Sequence, residues 1–248
     1  MTAAAAPTAF TEPAVDLTED FIDVPLDEKH IHLYVVRMGI ARALRESLSE
    51  MHGQLLDIGC GHSPYRELFL SPGSRVERYI GLDLADHRSY RNKPDLLWDG
   101  RVVPLPDESV ATAIATEVLE HVPEPQEELK EFQRVLQKGG KLFMSVPFFW
   151  MLHETPYDEF RYTPYSLERM LRAAGFSEVR IRALSGWNGS LVQMYANWVR
   201  YGDESRRLRL WSLRLLMPWL KFLLKRDRIP EKFGDCQMPT GFFCIATK

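Results

Sequence analysis

LLDIGCGHSPY, residues 55–65, joins a short apolar run to a turn that contains two glycines. The aliphatic residues on either side of Asp57 are typical of a buried parallel strand. Gly59 and Gly61 let the chain turn sharply and bring its amides close to a ligand. In an open α/β sheet, ligands bind beyond the carboxyl ends of the strands. The turn is therefore predicted to face a binding crevice.

The residues of this turn favour one class of ligand over another. A dinucleotide-binding turn has the pattern G-x-G-x-x-G, and its third glycine lets helix and strand pack closely. Pro64 stands at that position and suits the first turn of a helix instead. Asp57 would place a carboxylate where a pyrophosphate has to sit. A cationic ligand therefore fits better, and a nicotinamide-dependent oxidoreductase is the disfavoured alternative.

A second acidic residue, Asp83, ends the apolar run that is predicted as the next strand. A carboxylate at this strand end can accept hydrogen bonds from both hydroxyls of a ribose, with charge-assisted strength. Asp83 therefore indicates an adenosine-containing ligand without distinguishing the two cofactor classes.

The next segments, LLWDG at 96–100 and VVPLPDESVATAIATEVLEHV at 102–122, follow in a characteristic order of strand, loop, strand and turn. Together with the first turn and Asp83 they resemble the class I S-adenosylmethionine (SAM) methyltransferases of the type 11 group, over about residues 55–176. That group often has an aspartate just before the fourth strand, where this chain has SVA at 109–111.

The resemblance implies a fold, a cofactor and a set of contacts. The implied fold is α/β, a Rossmann-like doubly wound sheet that is mostly parallel with an antiparallel last strand. The implied cofactor is SAM, with S-adenosylhomocysteine as product, and its methionine part would lie against Asp57 and the glycine turn. The implied cofactor-binding residues are Asp57, Gly59, Cys60, Gly61, Asp83, Leu84, Asp99, Gly100, Thr116 and Glu117.

PFFWMLHETPYDEFRYTP, residues 147–164, is predicted to be the acceptor loop because it follows the fifth strand and is rich in aromatic and charged residues. A hydroxyl acceptor must lose a proton, and histidine is the usual base. His153, oriented by Glu154 or Asp158, is the first candidate, and His121 is the second. The alternative is a loop that folds on itself through ion pairs of Arg161. The predicted substrate-binding residues are Glu154, Tyr157, Arg161 and Tyr162. A metal site built from His153, Glu154 and Asp158 is disfavoured, and no metal is expected.

Composition and charge limit the class of protein. With 248 residues and 45% hydrophobic content, the chain fits one domain with extensions. Its net charge of −3 argues against a protein that coats nucleic acid. The three cysteines form no C-x-x-C pair, so a reducing cytoplasm is expected. The N-terminal alanine run lacks the basic and apolar parts of a secretory signal.

The predicted domain consists of residues 26–248, after a disordered or loosely attached tail at 1–25. It includes a helical cover at 26–50 and a helical insertion at about 190–235. Within the insertion, 206–228 combines a basic excess with many Trp and Leu residues, and Pro218 should break its helix. It is too short and charged to span a membrane. Contact with an anionic membrane surface, or a lid over a lipid-linked acceptor, competes with packing on the sheet edge or on a second copy in a homodimer.

The predicted function is transfer of a methyl group from SAM to a small molecule, with a hydroxyl of a saccharide or secondary metabolite as the favoured acceptor. The alternatives are an N- or C-methyltransferase of a small or lipid-linked acceptor, a non-catalytic SAM-binding domain that acts through a partner, and a membrane-associated scaffold.

Overall fold

The computed structural model describes residues 17–85 and 93–248, so residues 1–16 of the predicted tail lie outside the described part of the chain. The strands of the described residues form one sheet, in the order β3-β2-β1-β4-β5-β7-β6. They are β1 (His52–Ile58), β2 (Arg75–Leu84), β3 (Leu96–Trp98), β4 (Val110–Thr116), β5 (Leu136–Pro147), β6 (Glu178–Ala183) and β7 (Gly241–Thr247).

Strand direction locates the binding crevice. β1 pairs in parallel with β2 on one side and with β4 on the other, and only β7 runs antiparallel to its two neighbours. The strand order therefore reverses between β1 and β4, and the carboxyl ends of these two strands border the crevice where such sheets bind ligands. The predicted α/β fold with an antiparallel last strand is confirmed.

Helices cover both faces of the sheet. The helices of the described residues are α1 (Ile31–Ser47), α2 (Arg66–Phe69), α3 (Pro125–Val135), α4 (Pro164–Ala173), α5 (Trp187–Tyr201) and α6 (Arg206–Lys225). On one face, α3 and α4 bury Phe132 and Leu171 against the strands. On the other face, α1 and α2 bury Leu44 and Phe69. Each face has its own apolar core, which is the layering that a doubly wound sheet requires.

The helical insertion packs on the N-terminal cover. α1, α5 and α6 share a third apolar cluster, in which Leu213 and Leu220 of α6 are fully buried. Pro218 does not break α6, contrary to the prediction, because this burial on both sides of the proline holds the helix together. Within the described residues, no helix is both long enough and apolar enough to cross a membrane.

Two boundaries differ from the sequence-based expectation. A lysine followed by two glycines, at 138–140, is typical of a helix end. The segment instead belongs to β5, because the Gly139 amide donates to the Lys248 carbonyl and the Lys248 amide donates to the Gly140 carbonyl. Residues 17–25, the described part of the predicted tail, lie against the domain, where the Phe21 ring contacts Tyr65 edge-on and lies beneath the Arg37 guanidinium.

Glu128 on α3 carries a buried carboxyl that lowers stability in a pH-dependent way. Its Oε2 atom has no hydrogen-bond partner among the described residues. Burial, together with the nearby charges of Glu131 and Asp99, raises the pKa of Glu128 to about 8. A carboxyl whose pKa is higher in the folded chain than in the unfolded chain does not lower the free energy of unfolding at a pH below its unfolded pKa. It lowers that free energy most at a pH above its folded pKa. The folded state therefore loses stability at this site as the pH rises.

We expect Glu128→Gln to leave the free energy of unfolding nearly unchanged at about pH 4 and to raise it by about 1–2 kcal/mol at about pH 8.5. Urea unfolding across that pH range measures the difference, and Glu127→Gln, an exposed neighbour on the same helix, is the control. An effect of equal size at both ends of the range would exclude the Glu128 charge as its cause.

Candidate active site

The glycine turn after β1 lies against the turn that follows β4. Gly59 has a φ of +64°, and a Cβ at this position would lie 2.5 Å from the Val118 Cγ2 atom. Gly61 has a φ of +53° but open space where its Cβ would be. Gly59 is therefore required by its backbone and by its neighbour, whereas Gly61 leaves a free surface over which a ligand can lie.

Asp83, at the end of β2, is tied to the same turn. Its Oδ2 atom accepts a hydrogen bond of 2.6 Å from the Gly61 amide, and its Oδ1 atom accepts one of 2.7 Å from the Leu84 amide. Each carboxylate oxygen can accept a further bond. The carboxylate is therefore fixed in direction at the crevice, as binding of two ribose hydroxyls requires.

Asp57 is oriented differently from the expectation. Its carboxyl is buried and accepts a hydrogen bond from the Tyr79 hydroxyl of β2, because Leu55, which pairs with Tyr79, and Asp57 lie on the same face of the sheet. Burial raises the pKa of Asp57 to about 7, and the Asp83 charge adds to the shift. The structure therefore supports a position beneath the glycine turn and not the direct contact with the cofactor that the sequence suggests.

The other predicted cofactor residues divide into backbone and side-chain positions. The Cys60 side chain is buried, so only the backbone of this residue faces the turn. Leu84 is exposed beside Gly100 and offers an apolar surface. The Asp99 Oδ1 atom accepts a hydrogen bond of 3.0 Å from the Arg101 amide, which shapes the turn after β3. Asp99 therefore positions this turn in addition to its predicted contact.

At the end of β4, Thr116 and Glu117 turn towards β5. Glu117 has a φ of +54°, and its Oε1 atom accepts a hydrogen bond of 2.8 Å from the Ser145 hydroxyl. Burial raises the pKa of Glu117, whereas this hydrogen bond and the charges of Arg37 and Arg161 act to lower it. Glu117 is therefore a strained, partly neutralised carboxyl at the crevice.

The side chains of His121 and His153 lie next to each other and next to the buried carboxyl of Glu120, shortly after this turn. The rings of His121 and His153 lie 4.7 Å apart, centre to centre. The Nε2 atoms of His121 and His153 lie 3.7 and 3.9 Å from the Glu120 Oε1 atom, and the Glu120 side chain is 0% exposed. The acceptor loop packs against Glu120 because the Glu120 backbone carbonyl accepts hydrogen bonds from the amides of Glu159 and Phe160.

Asp158 holds His153 in place and is itself held by Arg161. The His153 Nδ1 atom lies 3.2 Å from the Asp158 Oδ2 atom, and the Arg161 guanidinium donates to both oxygens of Asp158, at 2.5 and 2.8 Å. This pairing holds the pKa of Asp158 well below its usual range. Burial lowers the pKa of His153. His153 is therefore fixed in orientation and favoured in its neutral form, as a proton acceptor must be.

Comparison with known proteins gives the family of the central segment. The family model of the type 11 methyltransferase domain matches residues 56–144. This central segment is therefore similar to the type 11 methyltransferase domain family. A SAM-dependent methyltransferase from Archaeoglobus fulgidus has a similar fold, with a TM-score of 0.54 and 20% identity, over 88% of this chain and 94% of the other.

Two relatives each match a little over a third of the chain. The chain is 35% identical over 101 residues to an uncharacterized 37.1 kDa protein in transposon TN4556 from Streptomyces fradiae, and this match covers 37% of the chain and 29% of the relative. It is 31% identical over 104 residues to the ubiquinone biosynthesis O-methyltransferase of Idiomarina loihiensis, covering 38% of the chain and 42% of the relative. The match thus spans less than half of either relative.

The predicted substrate residues do not all face the crevice. Tyr162 is buried and donates a hydrogen bond of 2.9 Å to the Leu119 carbonyl, so the core position of its ring argues against substrate contact. Arg161 is engaged by Asp158 and by the Phe160 carbonyl. Tyr157 and Glu154 are exposed on the loop, where a substrate can reach them.

Sequence reasoning missed several residues of the site. Glu120 lies within the quoted segment 102–122, but its burial depends on a loop distant in sequence. Asp95 accepts a hydrogen bond of 2.8 Å from the Gly81 amide, beneath the glycine turn, and no sequence signal indicated it. Arg37, in the helical cover, also acts on the site, because its charge acts to lower the pKa of Glu117.

Proposed function

We propose that the chain transfers a methyl group from SAM to a hydroxyl of a small molecule, with a saccharide or secondary metabolite as the preferred acceptor class. The observation that carries the proposal is the sequence of contacts across the crevice. The glycine turn contacts Val118, two residues before Glu120, and the Glu120 carbonyl binds the loop that holds His153. The donor and acceptor sides thus share one edge of the sheet.

The donor side supports SAM over a dinucleotide. Asp83 and the Gly61 amide form a fixed hydrogen-bonded pair, and the free surface of Gly61 leaves room for the methionine part of SAM. A buried carboxyl at Asp57 disfavours a bound pyrophosphate, because like charges repel. Isothermal titration calorimetry with SAM, S-adenosylhomocysteine and NAD⁺ tests this part. Binding of NAD⁺ without binding of SAM would refute it.

The acceptor side supports a hydroxyl acceptor. The sulfonium donor is already activated, so an amine needs chiefly alignment, whereas a hydroxyl must also lose its proton. The histidine pair supplies that basic group, with His153 as the first candidate, His121 as the second and Asp158 as the residue that orients His153. Formation of S-adenosylhomocysteine with a panel of sugars, phenols and amines tests the acceptor class. Turnover of amines alone would favour the N-methyltransferase alternative.

The exposed face of α6 suggests the surface at which the protein meets its acceptor. Five large apolar residues at helical spacing are each between 47% and 64% exposed: Leu208, Trp211, Leu215, Trp219 and Phe222. Exposed basic residues spaced by seven, Arg207, Arg214 and Lys221, follow one border of this stripe, and α6 contains no acidic residue. Such a helix matches the interface of an anionic membrane in both polarity and charge. We therefore propose that α6 lies on an anionic lipid surface.

Vesicle flotation tests this contact. The protein is expected to float with vesicles that contain phosphatidylglycerol, and much less with pure phosphatidylcholine or at high salt. The double substitution Trp211→Glu and Trp219→Glu should abolish flotation, whereas Tyr165→Glu, an equally exposed aromatic residue on α4, should not. If light scattering shows a dimer that the double substitution dissociates, and no flotation occurs, a second copy covers the stripe and the membrane proposal is wrong.

A further inference from the structure

Glu120 lacks the hydrogen-bond donors that a buried carboxylate needs. Its side chain is 0% exposed, and neither Oε1 nor Oε2 has a hydrogen-bond partner among the described residues. Buried polar atoms in folded proteins are nearly always paired, and an unpaired carboxylate is among the most costly exceptions. The groups that Glu120 faces are the Nε2 atoms of His121 and His153.

The other ring nitrogen of each histidine is held by an acceptor. The His121 Nδ1 atom lies 3.1 Å from the Tyr157 carbonyl oxygen, which cannot donate. The His153 Nδ1 atom lies 3.2 Å from Asp158, whose ion pair with Arg161 keeps it a carboxylate. Each Nδ1 atom therefore carries the hydrogen, and in the neutral ring each Nε2 atom presents a lone pair. When Glu120 is ionised, three acceptors converge. The Arg161 charge acts on Glu120, but neither carboxyl oxygen has a hydrogen-bond partner among the described residues, so a cation between the three acceptors would pair with all of them.

We propose that Glu120, His121 and His153 bind a divalent transition-metal ion of the Zn²⁺ or Co²⁺ type. One carboxylate oxygen and two imidazole nitrogens form a donor set that suits such ions, whereas Mg²⁺ and Ca²⁺ prefer oxygen ligands alone. The three ligand atoms lie within 4.8 Å of one another. Bonds of about 2.0–2.2 Å to a shared ion require only a small contraction of the cluster.

The surroundings of the cluster have the form that metal-binding histidines show. Such histidines usually donate their second ring N–H to a carboxylate or a backbone carbonyl, which fixes the tautomer. Asp158 and the Tyr157 carbonyl occupy these two positions. This ligand set differs from His153, Glu154 and Asp158, the set that the sequence disfavoured, because Asp158 is engaged by Arg161 and contacts His153 at its other ring nitrogen.

A bound ion would also serve the reaction, and this part rests on the proposed function. A protein site with three ligands leaves a position for the acceptor oxygen, and coordination lowers the pKa of a bound hydroxyl. With the ion present, His153 would be a ligand, the ion would lower the pKa of the acceptor hydroxyl, and its proton would pass to bulk water before the oxygen takes the methyl group from SAM and releases S-adenosylhomocysteine. Without the ion, His153 takes the proton directly. The two states are distinguished by the dependence of turnover on metal.

Metal binding is tested with tag-free protein that has been stripped by a chelator and dialysed against Zn²⁺, Co²⁺ or Mg²⁺. We expect one Zn²⁺ or Co²⁺ per chain, a visible absorption band with Co²⁺, and no comparable binding of Mg²⁺. Glu120→Gln and His153→Ala should each weaken Zn²⁺ binding at least 10-fold. Glu154→Gln, a carboxylate of the same loop, and His52→Ala, a histidine elsewhere, are the controls and should retain it.

Thermal unfolding is a second test of the metal site, which is needed because a variant can lose affinity for Zn²⁺ through misfolding and not through loss of a ligand. In metal-free protein, Glu120→Gln should raise the melting temperature because it removes a buried carboxyl that has no hydrogen-bond partner among the described residues, and Zn²⁺ should raise the melting temperature of the wild type but not of Glu120→Gln. Equal Zn²⁺ affinity in wild type and Glu120→Gln would overturn the site. Loss of binding in Glu154→Gln instead would do the same.

The proposed function has a separate readout. Calorimetry of the metal-free protein with SAM reports the donor side alone, so a protein that binds Zn²⁺ but not SAM would refute the function and retain the metal site. A protein that binds SAM and turns over equally with and without a chelator, and retains no Zn²⁺ on dialysis, would refute the metal site and retain the function.

Discussion

Asp83→Ala is expected to weaken SAM binding about 100-fold. In the wild type, the Gly61 and Leu84 amides hold the Asp83 carboxylate in place. We expect this carboxylate to accept two charge-assisted hydrogen bonds from the ribose, which alanine cannot do. Each such bond contributes roughly 1.5–3 kcal/mol, and 1.4 kcal/mol corresponds to a factor of ten in affinity. Calorimetric titration of wild type and variant measures the loss, with circular dichroism to verify that the variant is folded.

Two further variants separate the role of the Asp83 charge from its role in the turn. Asp83→Asn keeps one oxygen that can accept from the Gly61 amide but loses the charge, so its affinity for SAM should lie between those of the wild type and Asp83→Ala. Glu77→Gln, an exposed carboxylate on the same strand, should bind as the wild type does. If Asp83→Ala binds SAM with undiminished affinity, the adenosine is bound elsewhere.

His153→Ala is expected to lower turnover of a hydroxyl acceptor by about 10²–10⁴-fold while SAM affinity stays within a factor of about three. The residue lies on the acceptor side, away from the hydrogen bonds of Asp83, so donor binding does not depend on it. The expectation holds for metal-free and metal-loaded protein alike, because the same Nε2 atom either takes the proton or binds the ion that acidifies the hydroxyl.

The measurement is the rate of S-adenosylhomocysteine formation at saturating acceptor. Glu159→Gln is the matched control, since it alters an exposed carboxylate of the same loop that is not among the predicted site residues. Near-normal turnover of His153→Ala with a hydroxyl substrate would remove His153 from the mechanism and leave His121 as the candidate. A loss confined to KM would assign His153 to acceptor binding instead.

The sheet could be predicted because the sequence patterns that indicate its strands are local. Apolar runs such as 55–58 and 111–115 form buried parallel strands, and a carboxylate at a strand end marks the binding edge whatever the rest of the chain does. Asp83 is of this kind, and the structure places it at the turn as expected. The match of the type 11 methyltransferase domain to residues 56–144 confirms the resemblance on which these expectations depended.

The side-chain environment of the site was less predictable because it depends on contacts between distant segments. The direction of Asp57 is decided by Tyr79 on the neighbouring strand, and the burial of Tyr162 by the Leu119 carbonyl. Glu120 illustrates the limit most clearly. It lies in a segment that was correctly assigned, yet its unpaired carboxyl becomes visible only when the loop that carries His153 folds over it.

The contact of Gly59 with Val118 imposes a constraint that reaches beyond cofactor recognition. The first glycine of the turn must remain small because the opposite strand's turn already occupies the space, and a methyl group there would push Val118 and the residues after it outward. The proposed donor and acceptor sides are therefore mechanically linked in this chain. Any larger residue at Gly59 is expected to displace the proposed proton-accepting histidine pair as well as the glycine turn.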